Sequence, residues 1–330
     1  MIVFYAVNGN IMTDANRSSL FANDTFTINF ANYNNGNFTP SGVDISFTKT
    51  QVTENPVFIN NIVNIGQKRI AYLMYNGFTA NFNIELNNAF GQIKAANATD
   101  LVLDLRYNGG GSIQTATYLA SMITGQFNNQ VFAREIWNPR IQAALEAENG
   151  AQLQSLFTDN ISGLGINSLG LSKIYILTTS RTASASELVI NGLKPYIQVI
   201  QIGSTTIGKN AGSITLYDSP RLTNKTGINT NHKYAMQPLV IKTANKDGFG
   251  DYQTGLVPNY QLNEDVGNLG ILGNSNEPLF RKALDLITLR NRTTNQNKAK
   301  IFENVPDNAQ DFSSEMYLDK VPTTLEKFIR

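Results

Sequence analysis

The chain has 330 residues, of which 42% are hydrophobic and 15% charged, and its formal net charge is +1. This apolar content is enough for one large core, and the balanced charge predicts no surface for nucleic acid or for an anionic membrane. The sequence has no cysteine and a single histidine, His232, which excludes disulfides, thiolate sites and zinc sites built on several histidines. No apolar run approaches the roughly 20 residues of a membrane-spanning helix, and the first residues lack the pattern of a signal peptide.

The pattern over residues 1–40 predicts a short unit. Residues 2–7 form an apolar run typical of a strand, and the Asn8-Gly9 pair indicates a turn. A helix-like stretch follows over residues 13–21 and an alternating strand over residues 25–30. A unit this small buries too little apolar surface to fold alone, so we expect it to belong to something larger.

From about residue 57 the pattern predicts strands that alternate with helices. Buried strands are expected at residues 68–75, 101–105, 173–178 and 198–202. This alternation is typical of an α/β fold with a mostly parallel sheet. We expect a core over residues 41–290, in which 138–170 form an inserted lid, and a loosely attached polar tail over residues 291–330.

The first motif with chemical potential is Thr182-Ala-Ser-Ala-Ser-Glu187, between a predicted strand and a predicted helix. Ser184 and Glu187 have the spacing of a capping box, in which each side chain bonds the other residue's backbone amide. The same position also suits a nucleophile. Free amides and the positive end of the helix dipole would stabilise an oxyanion formed there.

The second motif is Gly203-Ser-Thr-Thr-Ile-Gly-Lys209-Asn210. It could be a surface turn with a solvated lysine, which is the usual environment of lysine. A phosphate-binding loop would need serine or threonine after the lysine, and Asn210 stands there instead.

The third motif is Asp104-Leu-Arg-Tyr-Asn-Gly-Gly-Gly111, which follows another predicted buried strand. The glycines indicate either a tight strand-to-helix turn or a backbone that approaches a ligand closely. The G-x-G-x-x-G fingerprint of dinucleotide-binding proteins does not occur in this stretch.

Together and in this order, the three motifs resemble the D-L-R-x-N-x-G-G, S-A-S-E and G-K segments of the C-terminal-processing (tail-specific) serine peptidases. Ser184 and Lys209 are 25 positions apart, which is that family's spacing. The resemblance covers residues 1–290 and implies a ClpP/crotonase-like core with a mostly parallel sheet. Residues 3–30 also resemble the second half of a PDZ domain, which implies that the chain is a piece of a longer protein. The resemblance further implies that this protein acts in the cell envelope or outside the cell.

The resemblance implies that Ser184 is the nucleophile and Lys209 the general base of a Ser-Lys dyad. It places the oxyanion hole at the backbone amides of Gly110 and Ala185. Glu187 and Gly111 are the supporting positions. The implied activity is that of a serine endopeptidase that cleaves unfolded or C-terminal peptide segments of proteins, without metal or cofactor, and the oligomeric state is left open.

Two features depart from the family pattern. Many members carry a glutamine a few residues after the lysine, where this chain has Asn210-Ala-Gly-Ser213. A related branch places a histidine before the serine, whereas His232 follows Ser184, so we expect His232 on a surface hairpin. The alternatives are an inactive peptide-binding scaffold of the same fold and a crotonase-like acyl-CoA enzyme, which would need neither Ser184 nor Lys209.

Overall fold

The computed structural model describes residues 3–34, 37–149, 153–289, 315–322, 325 and 328. Its first part is a four-stranded antiparallel sheet in the order β2-β1-β3-β4. The elements are β1 (Val3–Val7), β2 (Asn10–Ile11), α1 (Arg17–Leu20), β3 (Thr25–Asn34) and β4 (Asn37–Thr48). The boundary expected at residue 40 falls inside β4, because β4 stays paired with β3 as far as Thr48.

Two large sheets, two two-stranded sheets and five α-helices are found in the rest of the described chain. The elements up to residue 137 are β5 (Val57–Ile65), β6 (Lys68–Tyr75), α2 (Asn83–Ala95), β7 (Asp100–Asp104), α3 (Ile113–Thr124) and β8 (Val131–Trp137). The later ones are α4 (Pro139–Asn149), β9 (Gln154–Leu156), β10 (Asn160–Ile161), β11 (Leu164–Gly165), β12 (Lys173–Thr178), α5 (Ala185–Leu193), β13 (Gln198–Gly203), β14 (Ala211–Ser213), β15 (Leu216–Tyr217), β16 (Ala235–Met236), β17 (Leu239–Ala244), β18 (Tyr260–Gln261), α6 (Pro278–Ile287) and β19 (Met316–Tyr317). Short 3-10 turns lie at Ala80–Phe82 and Val266–Asn268.

The main sheet has six strands in the order β18-β13-β12-β7-β6-β5, and all neighbours are parallel except β5 and β6. Alternate residues of one strand enter different cores. In β7, Leu103 joins the apolar cluster that contains α2, α3 and α5, whereas Val102 packs in the cluster that contains Phe280 of α6. Both faces of the sheet are therefore covered, which explains why these strands read as continuous apolar runs.

The second large sheet has the order β19-β14-β17-β8-β9 and is antiparallel apart from the β14–β19 pair. The fold is thus α/β with sheets of mixed orientation, and the mostly parallel arrangement is found in the main sheet alone. The sequence did not predict this second sheet, because β9, β14 and β19 have only two or three residues and the paired strands come from distant parts of the chain.

Two stretches differ from their expected roles. The stretch 138–170, expected as a lid, contributes β9 to the second sheet and buries Leu153, Phe157 and Ile161 in the larger core cluster. Within the expected tail, residues 290–314 lie outside the described part, but Met316 is fully buried in the same cluster. Burial of these apolar side chains holds both stretches against the core. No helix of the described residues has the length and apolarity that crossing a membrane requires.

Candidate active site

The three motifs meet at one edge of the main sheet. β7 ends at Asp104, β12 at Thr178 and β13 at Gly203, and these three strands are parallel neighbours. The carboxyl ends of parallel strands lie at the same edge, so the loops that follow them are brought together.

Ser184 occupies the turn between β12 and α5 with an unusual backbone. Its φ is 63° and its ψ is −116°, a region that residues with a side chain rarely adopt. The residue is fully buried, and its Oγ has no hydrogen-bond partner among the residues that the structure describes. Ser184 is the N-cap residue of α5 and has the arrangement of a capping box with Glu187, but its hydroxyl makes no cap hydrogen bond. A strained backbone that aims a serine hydroxyl from a strand-to-helix turn is the geometry of nucleophiles in other hydrolases.

Glu187 connects the serine turn to the lysine turn. Its carboxylate accepts hydrogen bonds from the backbone amides of Ser184 (2.8 Å), Gly208 (2.6 Å) and Lys209 (2.8 Å), and from Oγ1 of Thr206. The carboxylate is fully buried. The predicted capping box of Ser184 and Glu187 is present in arrangement, with a hydrogen bond on the glutamate side only. The same glutamate side chain fixes the backbone of Lys209.

Asn108 connects the glycine loop to the serine turn. Its backbone carbonyl accepts from the amide of Ala183 (3.1 Å) and from Oγ of Ser186 (3.0 Å). Its side chain donates to the carbonyl of Tyr75 (2.8 Å) and accepts from the amide of Gly110 (2.9 Å). This structure therefore points the Gly110 amide at Asn108.

Gly110 and Ala185 lie together beside Ser184. A Cβ built on Gly110 would lie 2.6 Å from Cβ of Ser184 and 2.9 Å from the amide nitrogen of Ala185. Ala185 is the first residue of α5, a position at which the amide has no partner within the helix. The two amides proposed for the oxyanion hole are therefore neighbours.

Replacement of Gly110 by alanine is expected to remove activity and to destabilise the fold. The new Cβ would collide with the serine turn, and the φ of 111° disfavours any side chain. Gly163→Ala is the matched control, since its φ is 93° and a Cβ there meets open space. Urea melts should show the larger loss for Gly110→Ala, by about 1–3 kcal/mol. Equal losses for both variants would mean that φ alone, and not contact with Ser184, requires the glycine.

The backbone of Lys209 is linked to the serine turn through Glu187, whereas its side chain pairs with Glu315. Its Nζ lies 2.6 Å from Oε1 of Glu315, and the two side chains are 17% and 15% exposed. Because Oγ of Ser184 has no partner in the described part, the amine and the hydroxyl are not hydrogen bonded here. Gly208 lets the chain turn into Lys209, since a Cβ there would lie 2.3 Å from the carbonyl oxygen of Gln253.

Comparison with known proteins assigns these loops to a family. The model of peptidase family S41 matches residues 69–239, just over half of the 330 residues, and this range contains all three motifs. The chain belongs to peptidase family S41.

Two similar proteins are processing proteases. A carboxyl-terminal-processing protease of the cyanobacterium Picosynechococcus is 23% identical over 244 residues, which cover 74% of this chain and 51% of the relative. The chloroplastic C-terminal processing peptidase of Tetradesmus obliquus is 23% identical over 50% of this chain and 33% of its own length. The chain thus spans about half the length of the first relative.

A solved structure has a similar fold. A protein from Bacteroides fragilis NCTC 9343, provisionally assigned to the S41 proteases, is 28% identical with a TM-score of 0.70. The match covers 86% of this chain and 72% of that one. The mixed α/β architecture described above is therefore that of an S41 structure.

The first residues of the glycine motif have a structural role. Arg106 is buried and pairs with Asp104 (2.7 Å), Glu277 (2.8 Å) and the partly exposed Glu264 (3.0 Å). These contacts tie the end of β7 to the start of α6. Such a paired and buried cluster fixes the loop that leads to Gly110.

Gly111 packs against a different part of the chain from Gly110. A Cβ there would lie 2.3 Å from the carbonyl oxygen of Phe78, and its own carbonyl accepts from the amide of Tyr317 (3.1 Å). Gly111 therefore lies where the glycine loop meets β19.

His232 lies outside this site. Its Nε2 is 3.1 Å from Oδ2 of Asp218 in the loop between β15 and β16, and the residue is part-exposed. No cluster of three or more potential metal ligands occurs among the described residues.

Sequence reasoning missed Glu315. It is separated from Lys209 by 106 positions, in a polar stretch without a motif. The only sequence signal was the short apolar pattern of Met316 and Leu318 beside it.

Proposed function

We propose that the chain is a serine endopeptidase that cleaves unfolded or C-terminal peptide segments by acyl transfer. Ser184 is the nucleophile, Lys209 the general base, and the amides of Gly110 and Ala185 form the oxyanion hole. Glu187 and Gly111 support this arrangement. The activity of the processing proteases that resemble the chain is consistent with this assignment.

One observation carries the proposal. Ser184 presents a buried hydroxyl without a partner in the described part of the chain, from a strained turn at the start of α5. A buried polar group without a partner is costly, and a strained backbone adds to that cost. A catalytic role would account for both features of this N-cap serine.

The proposed reaction starts when Lys209 takes the hydroxyl proton of Ser184 and the oxygen attacks a peptide carbonyl. The oxyanion is stabilised by the two amides and by the N-terminal end of α5. The leaving amine takes a proton from the lysine, and water then releases the acyl group. For these reaction steps to occur, the Gly110 amide must turn away from the Asn108 side chain. The Lys209 amine must also separate from Glu315.

The remaining expectations of the resemblance belong to the same proposal. The N-terminal sheet, in which β1 pairs with both β2 and β3, would be part of a PDZ-like unit. The parent protein would act in the cell envelope or outside the cell on protein or peptide substrates. An inactive peptide-binding scaffold is the alternative.

A fluorophosphonate probe tests the nucleophile directly. We expect a covalent adduct on Ser184, located by peptide mass spectrometry, and no adduct in Ser184→Ala. Ser180→Ala is the matched control, because Ser180 is an exposed serine of the same turn and its loss should leave labelling intact. An adduct that persists in Ser184→Ala would refute the assignment, and a folded chain that is never labelled would favour the inactive scaffold.

A further inference from the structure

Residues 315–322, here called the C-terminal segment, bind to two loops of the proposed site. The amide of Tyr317 donates to the carbonyl of Gly111 (3.1 Å), and the amide of Leu318 donates to the carbonyl of Ser213 (3.0 Å). Met316 is fully buried in the main core cluster. Backbone pairing and apolar burial therefore hold the segment in place independently of the side chain of Glu315.

From this position Glu315 reaches the amine of Lys209. The 2.6 Å contact joins two side chains that are about five-sixths buried, with exposures of 17% and 15%. The second oxygen of Glu315, Oε2, is buried and has no hydrogen-bond partner among the described residues. Burial of the two side chains weakens the screening of this ion pair by salt.

The other titratable groups around the pair do not replace Glu315. The carboxylate of Glu187 on α5 is occupied by three backbone amides and one hydroxyl. Burial raises the pKa of Tyr252, after β17, and also the pKa of Tyr317, so both phenols are neutral at physiological pH. Among these groups, only Glu315 has a carboxylate oxygen within hydrogen-bond distance of the Lys209 amine.

We propose that Glu315 is a positioning residue that holds the amine of Lys209 away from Ser184, so that the C-terminal segment restrains the dyad. The inference rests on the proposed function. Before it can accept the hydroxyl proton of Ser184, the amine must leave the carboxylate of Glu315. The ion pair therefore opposes the first step, and its removal should ease that step.

The test compares pH–rate profiles of the intact chain and three variants. Glu315→Gln keeps the size of the side chain and removes the charge, so the rising limb should move to lower pH. Glu315→Asp keeps the charge and should keep the limb close to that of the unmodified chain. Asp319→Asn is the segment control, because Asp319 bonds Oγ of Ser112 (2.6 Å) and the amide of Gln114 (3.3 Å) instead of Lys209. The rising limb of the pH–rate profile of Asp319→Asn should stay where it is in the unmodified chain.

A second readout does not depend on turnover. A reagent that acylates amines should modify Lys209 faster at neutral pH in Glu315→Gln than in the unmodified chain, because the amine is released from its ion pair. Lys68, which is paired with Asp100, serves as the internal reference in the same digest. If labelling and limb are unchanged in Glu315→Gln, or if Asp319→Asn shifts them equally, the inference is wrong. A chain without peptidase activity but with faster labelling would contradict the proposed function and leave the ion-pair inference supported.

Discussion

Lys209→Arg is expected to lose peptidase turnover by about 100-fold or more, as is typical when a general base is removed. Arginine keeps the positive charge and can still pair with Glu315, but it does not give up its proton in proteins. Lys209→Ala should lose a similar factor, since His232 lies away from the site beside Asp218. Turnover of an unfolded protein substrate measures the effect, and circular dichroism checks that each variant is folded.

Lys68→Arg provides the matched control for this change. Lys68 is also a lysine paired with a carboxylate, at 3.0 Å from Asp100, and it lies at the opposite end of the main sheet strands. Its replacement should leave turnover unchanged. Substantial turnover in Lys209→Arg would mean that residue 209 acts as a charge or an anchor, and the Ser-Lys dyad would have to be abandoned.

Ser184→Gly is expected to remove turnover by roughly 10⁴-fold or more, as loss of a nucleophile does in other serine hydrolases. Its stability should nevertheless exceed that of Ser184→Ala, because glycine adopts a φ of 63° without the cost that a Cβ imposes. We expect a difference of about 1 kcal/mol, after allowing for the greater freedom of glycine in the unfolded chain.

Urea melts of the two variants measure this difference, and both lack the hydroxyl, so the lost side-chain contacts are nearly the same. If Ser184→Ala is more stable than Ser184→Gly, the backbone at residue 184 is not strained. The argument from backbone strain to a nucleophile at this turn would then fail. Comparison of both with the unmodified chain also gives the cost of burying the hydroxyl of Ser184.

The sequence was sufficient for the local parts of the site. The runs at residues 101–105 and 173–178 predicted buried strands, and the structure has strands at Asp100–Asp104 and Lys173–Thr178. Apolar runs between helical patterns are a local signal, which is why they could be recognised. The spacing of Ser184 and Glu187 likewise indicated contact across one helical turn, and the carboxylate does bond the Ser184 amide.

The second sheet could not be predicted in the same way. Its strands β9 and β14 have three residues each, and β19 comes from a stretch that the composition assigned to a polar tail. Their pairing depends on contacts between distant parts of the chain, and a strand of two or three residues has no periodicity of its own. The interpretation of residues 138–170 as a lid did not include the burial of Phe157, because this burial also depends on contacts between distant parts of the chain.

The sequence by itself determined the residue types of the site, their order, and the strand ends from which they project. Only the tertiary structure decided which partners they have. Glu187 joins Ser184 to Lys209 because β12 and β13 are parallel neighbours that end at the same edge. Glu315 meets Lys209 because burial of Met316 brings a segment from 106 positions away onto β14. Hydrogen bonds and ion pairs depend on distance in space, and a sequence records distance only along the chain.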